Sequence, residues 1–307
     1  MNLFKPKTNN PPSPQLLERV ATKYNDIMAI QNGRFREIWF VRGKDFFLQS
    51  RIDAEDPTSL VLVYSRMMMA GLFFQPAPRR ILMIGLGGSA VSNCFQKWCP
   101  DTVLDVVEID REIIEIARKY FFLRESERCR VHEEDGRIFV KNMQGKAEYD
   151  LVFLDAFKSG SIPYHLKTSE FYREIANLLS PGGAISSNLY GKSNVLKPRD
   201  LKTFSAVFKQ IYVFEDPEEI ATVLHATHQD RRSSPEEMQR AADELVKAGR
   251  IPPYMRDVPA MQCPGKFEKR DATEFYDDFP KDKFFQAVDK NNVNMTLSRP
   301  YPIKSSG

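Results

Sequence analysis

A glycine cluster and three acids, each at the end of a strand-like stretch, are the residues of this chain best suited to chemistry. The cluster is Gly85-Leu86-Gly87-Gly88-Ser89-Ala90, preceded by Ile81-Leu82-Met83-Ile84 and succeeded by a helix-like pattern. A strand that runs through glycines into a helix makes a nucleotide cradle. The glycines allow a tight turn and close backbone approach, and the helix N-terminus offers free N–H groups. The same Gly-x-Gly-x-x-Ala also occurs as an ordinary turn, so its meaning depends on the acids downstream. Glu108, with Ile109 beside it, ends a second apolar run about 20 residues on, where a carboxylate can accept from both hydroxyls of a ribose. The plain alternative is a solvated loop acid. Asp135-Gly136 falls at the end of a third, short strand over Arg130 to His132; its carboxylate could meet an adenine amino group, or cap the next helix, or both. Asp155 ends the fourth run, Tyr149-Asp150-Leu151-Val152-Phe153-Leu154. Ligands of open α/β sheets collect at the carboxyl ends of the strands, so Asp155 is placed to orient an amine nucleophile or take its proton. A helix cap or a loop tie is the structural alternative.

Other chemistries find little support. The four cysteines, Cys94, Cys99, Cys129 and Cys263, form no Cys-x-x-Cys pair, which argues against a zinc ribbon or a disulfide framework. His225 and His228 lack a third ligand nearby in sequence, so no metal site is expected. His165, in the stretch after Asp155, could line a site. There is no Gly-x-Ser-x-Gly elbow. With 44 basic against 41 acidic residues the net charge is +3, too balanced to predict nucleic-acid binding. No apolar run reaches the roughly 20 residues that span a bilayer, and Met1 to Pro14 lacks a signal-peptide core. A cytoplasmic protein with no membrane partner is the default expectation.

The elements that must position these residues alternate. Residues 1–14 read as a flexible tail, and residues 15–57 as a β-rich lead, opening with a short helix over Gln15 to Tyr24. Asn32-Gly33 is a hairpin signal between two apolar runs, and Phe46-Phe47-Leu48-Gln49 supplies a further strand. Residues 58–228 carry strand and helix patterns in alternation, which predicts a parallel sheet with helices on both faces. In residues 229–307, Ser234-Pro235-Glu236-Glu237 starts a helix that stops at Gly249. Prolines and charges dominate after it, with Phe275, Tyr276, Phe279, Phe284 and Phe285 as expected anchors onto the main body.

The ordered set of motifs resembles the class I S-adenosylmethionine-dependent transferases, and within them the spermidine-synthase-like family. The matching stretches are Ile81 to Gly88, Val107-Glu108-Ile109-Asp110, Glu134-Asp135-Gly136-Arg137, Tyr149 to Asp155, and Glu170-Phe171-Tyr172 before Leu179-Ser180-Pro181-Gly182-Gly183. The resemblance implies a Rossmann-like mixed sheet of seven strands, preceded by a small antiparallel sheet. It also implies binding of S-adenosyl-L-methionine or its decarboxylated form. Gly85, Gly87 and Gly88 would meet the methionine-derived arm, Glu108 the ribose, and Asp135 the adenine, with Ile109 and Gly136 beside them. Tyr64 falls at the family's tyrosine ahead of the glycine loop; with Gln49 and His165 it is expected at the acceptor, and Asp155 is the expected catalytic acid.

Departures from the family's polyamine enzymes set the order of the readings. Those enzymes carry an Asp in the glycine loop, where this chain has Gly88-Ser89. They have a second acid after the strand-four Asp, where this chain has Ala156-Phe157-Lys158. Behind Tyr64 they commonly have a His or Gln and then Glu, where this chain has Ser65-Arg66. A lysine in an acceptor pocket would repel a polyamine cation. The first expectation is therefore a methyltransferase on an unnamed small-molecule or amine acceptor. The alternatives are an aminopropyltransferase acting on putrescine and a non-catalytic nucleotide-binding homologue. A homodimer is the oligomeric expectation.

Overall fold

The computed structural model describes residues 13–157, 162–189, 196–218, 221–263, 272–278, 280–282 and 286. Four strands lead: β1 (Gln15–Ala21), β2 (Asp26–Asn32), β3 (Phe35–Arg42) and β4 (Asp45–Asp53) form an antiparallel sheet in chain order. The turns at Asn32-Gly33 and Arg42-Gly43 are two-residue connections whose glycines have φ of +58° and +62°, the left-handed conformation that such hairpins require. Ile27, Ala29, Ile38 and Ile52 turn one face of this sheet onto the main core, while Met28, Ile30 and Trp39 cluster on the other. The helix expected over Gln15 to Tyr24 is instead β1. A short isolated helix is marginal, whereas here the segment pairs with β2 from Gln15↔Gln31 to Ala21↔Asp26 and sets Leu17 and Val20 against the core.

The main body comes next. Helix α1 (Val63–Met69) runs on into a 3-10 turn (Ala70–Phe73). After it are β5 (Arg80–Ile84), α2 (Ala90–Trp98), β6 (Val103–Glu108), α3 (Arg111–Tyr120), β7 (Cys129–Glu133), α4 (Gly136–Met143) and β8 (Tyr149–Leu154). Beyond them are α5 (Ser169–Ala176), β9 (Leu179–Asn188), α6 (Lys197–Val207), β10 (Gln210–Glu215) and β11 (Thr222–Thr227). The sheet order is β10-β11-β9-β8-β5-β6-β7. Strands β7, β6, β5, β8 and β9 are parallel, and β11 runs antiparallel between β9 and β10. Alternate residues of β5 feed two cores: Ile81 and Met83 join the side of α1, α2 and α3, while Leu82 and Ile84 join the side of α4, α5 and α6. This is the class I methyltransferase-like arrangement of the expected fold. The seventh strand, β11, is the one the sequence pattern does not reveal. Chain order reverses about β5, whose neighbours are β6 and β8, and opens a crevice at their carboxyl ends.

Helix α7 (Pro235–Lys247) begins with a capping box between Ser234 and Glu237, and a 3-10 segment (Pro253–Met261) packs on it. Phe275 is fully buried and Tyr276 is exposed; Phe279, Phe284 and Phe285 lie outside the described residues. Among the described residues no helix is long and apolar enough to cross a membrane.

Candidate active site

The site is built where β5 meets β8. Asp155 N–H donates to the Ile84 carbonyl at 2.9 Å, and Gly85 N–H donates to the Val107 carbonyl at 2.8 Å. Gly85 has φ +98°, and a Cβ there would collide with the Asp155 carbonyl oxygen. Glycine is what lets the two strand ends close on one another. A Cβ on Gly136 would likewise collide with Ile84. At Gly88 a Cβ would lie 2.6 Å from Ser50 Oγ and 2.7 Å from the Phe121 ring, while Gly87 (φ +52°) faces Ser50 at 3.7 Å. The lead sheet thus reaches the glycine loop through Ser50. Ser89 comes next in the left-handed region at φ 59°, buried, its hydroxyl without a partner among the described residues.

Glu108 closes β6 and lies half-buried beside this loop. Its two oxygens accept from Leu86 N–H and Asp110 N–H, each at 3.0 Å. Burial pushes its carboxyl up, against the pull of these amides. Ile109 next to it is 38% exposed, a large apolar side chain open to solvent. Asp135 caps α4, one oxygen accepting from Arg137 N–H at 2.9 Å and Ile138 N–H at 3.1 Å. Its other oxygen lies 2.8 Å from His165 Nε2, and that contact, with the backbone amides, holds the carboxyl below its ordinary value. The cap role that the sequence allows for Asp135 is therefore real.

Asp155 is the centre. It is half-buried, and burial pushes its carboxyl up to about 7, with the nearby Glu108 charge adding to the rise. Two donors pull the other way: Asn188 Nδ2 at 2.9 Å, and the Tyr64 hydroxyl. Tyr64 also lies 3.3 Å from the Gln49 carbonyl. Burial and the Asp155 charge raise the Tyr64 phenol well above its ordinary value, so it stays a donor. Gln49 meets the site through its backbone; its amide turns back to the Phe47 carbonyl at 3.2 Å.

The structure brings Asp155, Tyr64 and the Gln49 backbone together, and gathers the glycine loop with Glu108. His165, expected at the acceptor, stands 2.8 Å from Asp135. Sequence reasoning misses Asn188, although it ends the buried run Ala184 to Asn188 in the way the recognised acids end theirs. Arg66 does not face the crevice: Nε donates to the Leu60 carbonyl at 2.7 Å and the guanidinium covers the Tyr254 ring at 4.9 Å. Ser65 is buried and donates to the Leu62 carbonyl. This departure thus turns its charge away from the crevice, and Lys158 lies outside the described residues. His225 is a core residue between Phe74 and Phe214, hydrogen-bonded to Ser186 Oγ at 2.7 Å and driven by burial down to about 3. Among the described residues no group of three or more His, Cys, Asp or Glu could hold a metal.

The donor set fits an adenosyl sulfonium: half-buried carboxylates for a ribose diol, an adenine amine and a cationic centre, with glycines where a ligand needs backbone approach. A family model for the spermine/spermidine synthase domain matches residues 61–224. The chain is 34% identical over 228 residues to the polyamine aminopropyltransferase of Vibrio vulnificus, covering 73% of this chain and 76% of that one. It is 28% identical over 220 residues to the eEF1A lysine and N-terminal methyltransferase of Xenopus laevis, spanning 66% of this chain but 32% of that longer protein. Human methyltransferase-like protein 13 in complex with SAH superposes with a TM-score of 0.57 at 25% identity, over 62% of this chain and 94% of that one. A probable spermidine synthase from Corynebacterium glutamicum superposes with a TM-score of 0.63 over 76% of this chain and 93% of that one; at 20% identity it speaks for the fold alone.

Proposed function

Because the chain belongs to the spermine/spermidine synthase domain family, and is with that family a transferase drawing on S-adenosylmethionine or a relative, we propose that it moves an aminopropyl group from decarboxylated S-adenosylmethionine to an amine such as putrescine. The observation that carries this reading is Asp155: a desolvated carboxyl at about 7, held by Asn188 and Tyr64 beside the glycine loop.

Decarboxylated S-adenosylmethionine supplies an electrophilic carbon on a sulfonium. The rest falls to the protein. An alkyl ammonium must lose a proton before its nitrogen can attack. Its ordinary pKa is about 10, and desolvation against Asp155 narrows the gap from both sides. That proton passes to Asp155 Oδ and on to water. The free amine then bonds to carbon as the carbon–sulfur bond breaks, methylthioadenosine leaves neutral, and the new secondary ammonium carries the charge the sulfonium lost. Asn188 and Tyr64 keep that carboxylate aimed, so most of the rate would come from positioning. In this reading Gly85, Gly87 and Gly88 line the three-carbon arm, Glu108 takes the ribose, and Asp135, Gly136 and Ile109 frame the adenine. The polyamine relatives support aminopropyl transfer, and the turn of Arg66 away from the crevice removes one objection to a cationic acceptor.

Methyl transfer is the second reading, and Gly88 favours it. No acid stands in the glycine loop to hold the amine of a decarboxylated arm, and Ser50 with Phe121 leaves no room for a side chain at that position. Asp155 would then orient a methyl acceptor. Incubation with putrescine and each sulfonium separates the readings. Methylthioadenosine released from the decarboxylated form supports the first. S-adenosylhomocysteine from S-adenosylmethionine alone, with no methylthioadenosine, would sink it.

A further inference from the structure

The family match ends at residue 224, yet the chain returns to the crevice far beyond it. Residues 273–277 lie across the start of α5 and the turn before it. Phe275 N–H donates to Thr203 Oγ1 at 2.9 Å, and its carbonyl accepts from Ser169 N–H at 2.8 Å. Its ring sits fully buried beneath the Lys167 ammonium, which pairs with Asp200 at 2.8 Å; both partners of that pair are enclosed. The Tyr276 carbonyl accepts from the Tyr164 hydroxyl. Asp277 then takes Arg137 Nη1 at 2.7 Å and Nη2 at 2.9 Å, and the Thr168 hydroxyl at 2.7 Å.

Arg137 is the junction. It is 8% exposed, and Glu174 binds it from the other side through two contacts of 2.8 Å. Its Nη1 also donates to the His165 carbonyl at 3.2 Å. Arg137 comes directly after Asp135-Gly136, and the His165 imidazole lies 2.8 Å from Asp135. One guanidinium therefore holds the backbone of His165 against the first turn of α4, and Asp277 is its fixed partner from the far end of the chain. A bidentate pair on an enclosed arginine fixes direction as well as distance. Without Asp277, Arg137 keeps one carboxylate of two and Thr168, the cap of α5, loses its acceptor.

We infer that residues 273–277 are a working part of the nucleoside subsite, with Asp277 the positioning residue that, through Arg137, fixes His165 against Asp135. This rests on the reading of Asp135 as the adenine acceptor. The test is calorimetric titration of the full chain with methylthioadenosine, comparing wild type, Asp277→Asn, His165→Ala and the double variant. Asp277 is 45% exposed, so the isosteric change leaves packing intact; Asp277→Ser repeats the comparison with a shortened side chain. Asp277→Asn should bind about 5- to 20-fold more weakly, and the double variant no more weakly than His165→Ala, since both act on one contact. Wild-type affinity in Asp277→Asn, or a loss that adds in full to that of His165→Ala, would overturn the inference while leaving the nucleoside reading intact. A wild-type protein that does not bind methylthioadenosine at all overturns both.

Discussion

The Asn188 amide donates to the Asp155 carboxylate at 2.9 Å across the ends of two neighbouring parallel strands. The pair stands one step beyond the register partners Leu154 and Ser187, so the sheet itself fixes the contact. The amide favours the ionised acid and opposes the burial that raises it.

Asn188→Ala should therefore move the acid limb of the kcat/KM profile to higher pH. The limb is expected near the Asp155 value of about 7. A hydrogen bond to a charged group is worth about 1.5–3 kcal/mol, which corresponds to a rise of roughly 1–2 pH units. A profile that does not move would mean that another group titrates.

Asp155 should also make the ligand-free protein less stable as pH rises. Its folded value, about 7, lies above the ordinary 3.8, so between those values the folded state binds more protons than the unfolded one. Stability then falls with pH across that window and stays low above it. Asp155→Asn should raise the unfolding temperature at pH 8, with a gain that shrinks towards pH 4. Thermal melts across that range check the sign, and a gain independent of pH would contradict it.

Glu108→Ala should weaken binding of methylthioadenosine by about 50-fold or more, since two charge-assisted hydrogen bonds to a ribose would be lost. Titration calorimetry measures it. Glu108→Gln keeps an acceptor for Leu86 N–H and should fall between the two. Unchanged affinity in Glu108→Ala would remove this acid from the site.

Arg66→Gln should leave turnover unchanged and lower stability by about 1 kcal/mol, through loss of the contact with the Tyr254 ring and the Leu60 carbonyl. A gain in affinity for a cationic acceptor would show instead that the Arg66 charge is felt in the crevice.

Much of this arrangement is legible in the sequence because strand-end acids keep the period of the sheet. Glu108, Asp135 and Asp155 each stand at the end of a strand, and parallel pairing carries all three to one edge. The hidden part depends on partners distant in sequence. Gln15 to Tyr24 suits a helix until β2 supplies a ladder for its first seven residues, and Thr222 to Thr227 has a histidine amid its buried residues. The direction of Arg66 is decided by Tyr254, and the place of Asp277 by Arg137. A charge seen in sequence has no address until its counter-ion is known, which is why Arg66 reads there as an objection to a polyamine acceptor.

The change of texture near residue 57 looks like a place where the chain could be divided. Three contacts say otherwise. The Thr22 hydroxyl donates to Asp110 at 2.6 Å, Ser50 abuts Gly88, and the Gln49 carbonyl meets Tyr64. The lead sheet is thus one jamb of the doorway in which Asp155 stands: a shift in β4 alters the width of that doorway as directly as a change in the glycine loop.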